Sequence, residues 1–458
     1  MKTDKSVQQS TSKIIVLFLL LMFFSFVQYG QENPLIIKGS LNTDQRFRSA
    51  KPYDWSWNEN RLDMIMQKSF EDKAQIYTNI WFRTFGFPEI NGIQQLSNKD
   101  MTSPFNLDLR EMYVDLKGFP IKDMNVRLGR QKFNWGSGDR LNPVNNLNPL
   151  DMEDIWDFGR YHGSDAVKVT YYFKDFSFEG IWMPFFRPAT LPKGDWATAL
   201  MPEIELPEGM SLNNHFDTLI LPALNLKESS SYGFRAKGRV KTVDLSLYYS
   251  YLYDALPSPF KNVVKLVTFT SIDLITYENY FRQHNAGLSF STDIFNVGFW
   301  GEFSAFMPEK EIIMTTYLVP EIIPPMDSIM LEKKPYFKYL AGIDYTFRTG
   351  TYFNLQYLHG FYHERGNKNM NDYFMFQAFH KFFNDKLKIV PLSGAFIVAD
   401  WKDISNNHAL IYIPEITWSP NDNTELGIGY RLIEGKGGST FAMVKDKDEF
   451  FLKLKYSF

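Results

Sequence analysis

The groups that could do chemistry in this chain are charged side chains spaced two apart. Arg235, Lys237 and Arg239 form one such row, and Glu111, Tyr113 and Asp115 form another. A third cluster runs from Arg127 to Pro143. It sets Arg127, Arg130, Gln131, Lys132, Asp139 and Arg140 among three glycines. A spacing of two puts side chains on one face of a β-strand. A row of cations on one face attracts anions, and a row of carboxylates attracts cations. Bond-breaking chemistry has little support. The chain has no Cys, so a thiol nucleophile, a disulfide framework and a Cys-ligated zinc are excluded. G-x-S-x-G, H-E-x-x-H, P-loop and dinucleotide-binding signatures are absent. The seven His are scattered; His359 and His363 have helical spacing but lie in a stretch that reads as strand. No catalytic residue, metal site or cofactor is expected.

Composition narrows the class further. Lys+Arg total 49 against 52 Asp+Glu, which argues against a nucleic-acid partner, because phosphate binding needs a concentrated basic excess. Aromatic residues make up 17 % of the 458 positions. Residues 1–30 read as a secretory signal: Lys2, Lys5 and Lys13 precede an apolar run from Ile14 to Phe24, and polarity returns at Gln28. Cleavage is expected after Gly30, leaving residues 31–458 as a single domain. Beyond the signal, no uncharged apolar stretch approaches the ~20 residues that a membrane helix needs.

The elements that would carry these rows are strands of period two. Phe450, Leu452, Leu454, Tyr456 and Phe458 alternate with Phe451, Lys453, Lys455 and Ser457. Val243 to Tyr253, Leu426 to Leu432 and Phe295 to Ser304 repeat the pattern. One such strand also suits a soluble sandwich. Aromatics crowding the strand ends, where bilayer interfaces would lie, favour an all-β transmembrane antiparallel barrel. The ending on Phe458 resembles the terminal signal read by the barrel-assembly machinery. Nineteen candidate strands can be marked, among them 262–272, 276–292 and 408–419. Assigning Val263–Ile272 to an outer loop leaves about eighteen strands and a strict alternation of long and short gaps. Such a barrel has a lumen wide enough for water. Its long outer loops would be 187–229 and 308–334.

Alternation also sorts the faces. Tyr232, Phe234, Ala236 and Val240 would meet lipid, so Arg235, Lys237 and Arg239 would line the lumen, as would Arg46, Arg83, Asp244, Glu302 and Glu425. The connection 136–163 carries Asp139, Asp151, Glu153, Asp154 and Asp157 against Arg140 and Arg160, and repeats Leu-Asn-Pro at 141–143 and 147–149. It is expected to fold inward as a constriction loop. Its carboxylates would face the basic wall and set a transverse field across the lumen.

The run Glu111-Met112-Tyr113-Val114-Asp115-Leu116, then Arg127-x-Gly129-Arg130-Gln131, Trp135-Gly136 and an Asn/Pro/Asp-rich loop, resembles the alginate-export-type outer-membrane porins and a neighbouring, largely uncharacterised porin-like family. The likeness covers about residues 106 to 190. It implies a Sec-exported barrel in the outer membrane of a Gram-negative bacterium, passing anionic polysaccharide or other solutes. It also implies that Arg127, Arg130 and Gln131 sit on the pore wall. Strict alternation instead turns Arg130 towards lipid, and a bulge at Gly129 would be needed to bring it back. The expected function is a passive porin for hydrophilic, anionic solutes such as sugar acids or oligosaccharides. The alternative is a plugged scaffold or adhesin that binds a partner through its outer loops. Expected partners are outer-membrane lipid, the assembly machinery and a small solute.

Overall fold

The computed structural model describes residues 34–193, 196–197, 206, 209–318 and 324–458. The expected signal segment and its cleavage site lie outside these residues. Twenty-four strands are present among the described residues. They are β1 (Ile36–Arg48), β2 (Trp55–Phe70), β3 (Ala74–Phe85), β4 (Phe105–Lys117), β5 (Met124–Gln131), β6 (Ser164–Phe173), β7 (Phe176–Met183), β8 (Ser211–Ile220), β9 (Ser231–Val240), β10 (Val243–Tyr253), β11 (Ser258–Thr268) and β12 (Ser271–Asn279). The remainder are β13 (Arg282–Ile294), β14 (Val297–Pro308), β15 (Ile312–Leu318), β16 (Met326–Leu331), β17 (Tyr336–Thr346), β18 (Tyr352–His359), β19 (Asp372–Phe382), β20 (Leu387–Val398), β21 (His408–Tyr412), β22 (Glu415–Asn421), β23 (Thr424–Lys436) and β24 (Glu449–Ser457).

All but β8, β11, β12, β15 and β16 belong to one antiparallel sheet, which closes where β1 pairs with β24. Both β21 and β22 lie between β20 and β23, so they are two halves of one strand, interrupted where Pro414 supplies no N–H. The wall therefore has eighteen strands. Short turns alternate with long connections around it, and several turn residues, such as Asn296, Asn384 and Asp385, adopt the positive φ of tight hairpins. Outward positions are apolar and exposed, as in Leu245, Leu247 and Leu454. Aromatic rings mark both ends of the band: Phe47, Trp55 and Phe450 at one, Phe173, Phe295, Phe347 and Phe383 at the other. This is the outer surface of a barrel that spans a bilayer. No helix among the described residues is long and apolar enough to cross a membrane.

Two expected boundaries move. The stretch 276–292 is divided, because β12 ends at Asn279 outside the wall and β13 begins at Arg282. The stretch 408–419 is the interrupted pair β21 and β22. Val263–Ile272 does lie outside the wall, within the β11–β12 hairpin. Three connections, 184–230, 254–281 and 309–335, meet above the barrel in a five-stranded sheet of order β16-β15-β11-β12-β8. Within it β11 pairs parallel with β15, and β12 pairs parallel with β8.

Inward side chains change character along the barrel. Near the short turns Lys38, Glu425 and Lys455 are exposed to the lumen. Towards the long connections, Arg46, Arg83, Arg431 and Glu449 are buried. The half of the lumen beside the long connections is therefore filled with protein, and the other half is an open vestibule. Topology has a direct check. Single cysteines at Lys193 and Phe269 are expected to react with an impermeant maleimide on whole cells, and those at Asp175 and Asp385 only after the cells are opened. The reverse labelling would overturn this orientation.

Candidate functional site

The filling is chiefly the connection 132–163, which leaves β5 and folds inward as two lobes. In the first, the Trp135 indole donates to Glu179 on β7, and the Gly136 N–H donates to the Tyr248 hydroxyl on β10. The lobe then wraps Glu302 of β14. One oxygen of that carboxylate accepts from the Ser137 and Gly138 N–H groups at 2.5 and 2.6 Å, and the other accepts from Val144 at 3.3 Å. Gly136 has φ +105°, and a Cβ there would meet Glu302 Oε1 at 2.4 Å, so only glycine allows this turn. The Leu-Asn-Pro repeats close the lobe. Asn148 donates to the Phe133 carbonyl and accepts from the Phe133 N–H.

The second lobe is held by ion pairs. Asp154 takes a two-pronged contact from Arg46 of β1 at 2.5 and 2.8 Å, Glu153 meets Arg83 of β3 at 2.6 Å, and Asp151 meets Arg110 of β4 at 2.7 Å. Arg160 of the same lobe closes back on Asp151 at 3.0 Å. The guanidinium groups of Arg46 and Arg110 also lie over Trp57 and Trp81, 4.5 and 4.1 Å from the ring centres. Burial alone would raise the Asp151 and Asp154 carboxyls. The arginines outweigh it and hold both well below the usual carboxylate range. The carboxylates thus face the basic wall, as expected, but they are bonded to it. Direct pairing neutralises the charges that would otherwise set a field across open water.

An apolar core joins the lobes to the wall. Leu141, Ile155 and Trp156 pack with Trp196, Phe361, Phe441 and Val444, and with Leu340, Leu358, Ile397, Ile411 and Ile433 on inward faces of β17 to β23. These inward apolar residues are the ones that sequence reasoning missed. Their signal was present, because a wall strand apolar on both faces must be covered on both.

The other expected site residues divide. Arg127 points inward, pairs with Asp115 at 2.6 Å and lies over the Tyr113 ring. Glu111 accepts from the Lys132 N–H. Gln131 is fully buried and donates to the Ala166 carbonyl. Arg235 is tied to Glu179 at 2.7 Å and to the Asn134 carbonyl, whereas Lys237 and Arg239 are exposed in the vestibule without an ion pair among the described residues. The Asp139 N–H donates to Gln356, and Arg140 is exposed. Arg130 requires a correction. The β4–β5 pairing runs without a shift from Met112↔Arg130 to Lys117↔Asn125, so no bulge exists. Gly129 is needed instead for close approach, since a Cβ there would meet the Met112 carbonyl at 2.4 Å. Arg130 therefore stands on the lipid side, paired with Asp165 at 3.0 Å. Among the described residues no cluster of His, Asp and Glu could hold a metal ion.

His162 gives the docked lobe a pH dependence. Burial, with Arg110 and Arg187 beside it, lowers its imidazole to about 4 against the pull of Asp151. Burial likewise lowers His363, in the connection 360–371, to about 3. An undocked His binds protons near its ordinary 6.5, so docking is full above that pH and weakens as pH falls towards 4. The depressed carboxylates stabilise docking fully above their ordinary 3.8 and lose that contribution only below it. The opening of 132–163, read as hydrogen exchange corrected for its intrinsic pH dependence, should rise as pH falls from 6.5 to 4, and His162→Gln with His363→Gln should flatten that rise. An unchanged rise would assign it to other groups.

No protein-family model matches the chain, and no curated protein matches it in sequence. Solved structures that resemble it include OmpF of Salmonella typhi in complex with daunomycin, with 9 % identity, 94 % of this chain and 99 % of that one covered, and a TM-score of 0.42. OmpT of Vibrio cholerae, an outer membrane protein, aligns with 10 % identity over 93 % of this chain and 99 % of that one, at a TM-score of 0.40. At such scores the closed strand order, not the likeness, defines the barrel.

Proposed function

We propose that the protein is a channel in the outer membrane of a Gram-negative bacterium for small hydrophilic, mainly anionic solutes, with the lobes of 132–163 setting the passage. The division of the lumen into a wet vestibule and a half filled by the chain's own connections supports this reading most. It fits an adjustable constriction at the outer end and a charged antechamber on the periplasmic side. The kinship with alginate-export-type porins belongs to the same proposal. Because Asp151, Glu153 and Asp154 neutralise their wall arginines, the field that a solute meets comes from the charges left over. Lys237 and Arg239 are two of these.

Coulomb attraction from such groups reaches about 10 Å at 0.1 M salt. Purified barrel in a planar bilayer is expected to conduct, and to prefer anions more at low salt than at high. Lys237→Gln with Arg239→Gln should move the reversal potential in a KCl gradient towards cations and leave conductance nearly unchanged. Absence of conductance from the folded barrel would overturn the channel reading. The five-stranded sheet above the barrel favours a second reading, a surface scaffold that displays this sheet to a partner. A folded barrel without conductance would favour it.

A further inference from the structure

Beneath the second lobe lies a cavity of about 370 Å³, roofed by Trp156 and the lobe and walled by β1, β2, β20, β22, β23 and β24. Its volume is of the order that small ligands occupy, about 300–1,000 Å³. Six basic and six acidic residues line it, so its formal charge is zero. Partnering breaks that balance. Arg61 is engaged by Glu59, Lys455 by Glu425 and Arg160 by Asp157. Asp44 and Asp154 share the single charge of Arg46, just behind the wall, which leaves one negative charge of that trio uncancelled. Four charges are left without an ion pair among the described residues. Three are cations: Arg140 from the first lobe, Lys388 of β20 and Lys453 of β24. The fourth is Glu415 of β22, which accepts from the Thr417 hydroxyl at 2.8 Å.

Arg140 adds an independent observation. Its φ of +70° lies in the left-handed region, where a residue bearing a side chain costs of order 1–3 kcal/mol and persists only if its surroundings hold it there. The turn is fixed from the far side, where the Tyr362 hydroxyl donates to the Arg140 carbonyl at 3.1 Å. Arg140 is exposed and lines the cavity.

We infer that this cavity is a binding site for a small anion of one or two charges, a carboxylate or a phosphate, carried on a body no larger than a disaccharide. Arg140, Lys388 and Lys453 supply the charge. The Thr417 hydroxyl and the Trp156 ring offer contacts for a hydroxylated remainder. The roof formed by the lobe excludes a polymer threaded along the barrel axis. The inference rests on the channel reading only in that the solute reaches the cavity through the vestibule. Binding and conduction are therefore measured apart.

The test is calorimetry on the full chain, folded in detergent, with inorganic phosphate, glucuronate and glucose as probes. One or both anions should bind saturably, the one that binds naming the group, and glucose should not. Arg140→Gln, Lys388→Gln and Lys453→Gln should each weaken binding about tenfold, as expected for loss of one charge-assisted contact, and the triple variant should lose it. Glu415→Gln removes the opposing charge and should tighten binding several-fold, a gain that misfolding does not produce. Binding by neither anion, or equal binding by parent and triple variant in heat-modifiable, folded form, would overturn the site. A barrel that binds but does not conduct would remove the channel reading and leave the site standing. One that conducts but does not bind would do the opposite.

Discussion

Arg46→Met should release the second lobe and raise single-channel conductance several-fold. Arg46 is 1 % exposed and supplies the one direct ion pair to Asp154 among the described residues, while also holding Asp44. Methionine keeps much of the stem but leaves the Asp154 carboxylate buried without its direct partner, with only the more distant Arg431 and Arg160 to oppose its charge. Breaking a buried pair from one side costs about 3–5 kcal/mol. That cost shifts the docking equilibrium by two to three powers of ten or more, at about 1.4 kcal/mol for each. Adding Asp154→Asn removes the stranded charge, so the double variant should recover most of the docking and return the conductance towards the parent's. Conductance unchanged in Arg46→Met, with hydrogen exchange across 150–162 also unchanged, would mean that apolar packing alone holds the lobe.

Glu302→Ala should free the first lobe, with the second largest effect. The carboxylate is 3 % exposed and accepts three backbone N–H groups, from half-buried Ser137 and Gly138 and from buried Val144. Each orphaned buried donor costs about 1–3 kcal/mol, so the loss is several kcal/mol. Glu302→Gln keeps one acceptor oxygen for Ser137 and Gly138 but turns an NH2 group towards Val144, and should fall between parent and alanine. The readout is protease cleavage within 136–148 on folded barrel, ordered Ala, then Gln, then parent. Equal cleavage of all three would show that the Asn148 and Trp135 contacts suffice. Both variants leave the lipid-facing band intact, so the heat-modifiable barrel should still form.

The existence of the wall strands, their count of eighteen, the inward face of the strands with clear alternation and the long–short rhythm of the connections were legible in the sequence, whereas β8, β15 and β16 lie in stretches that read as loops. The reason is that a period of two is a local property, and lipid punishes a polar residue on the wrong face wherever the strand lies in the chain. The inward course of 136–163 could be read from its length and its carboxylates. What fills the lumen could not. Arg46 and Asp154 are 108 positions apart, and Ser137 and Glu302 are 165 apart; no spacing rule links them. The three connections that build the outer sheet are likewise neighbours only once the wall has closed. Arg130 shows the limit of motif likeness, because continuous pairing between β4 and β5, not residue type, decided its face. The sequence by itself determined a barrel and the sign of each face, since those follow from alternation against lipid. Only the tertiary structure decided which charges are spent in pairs and which remain free, because that depends on long-range contacts made after the chain has closed on itself.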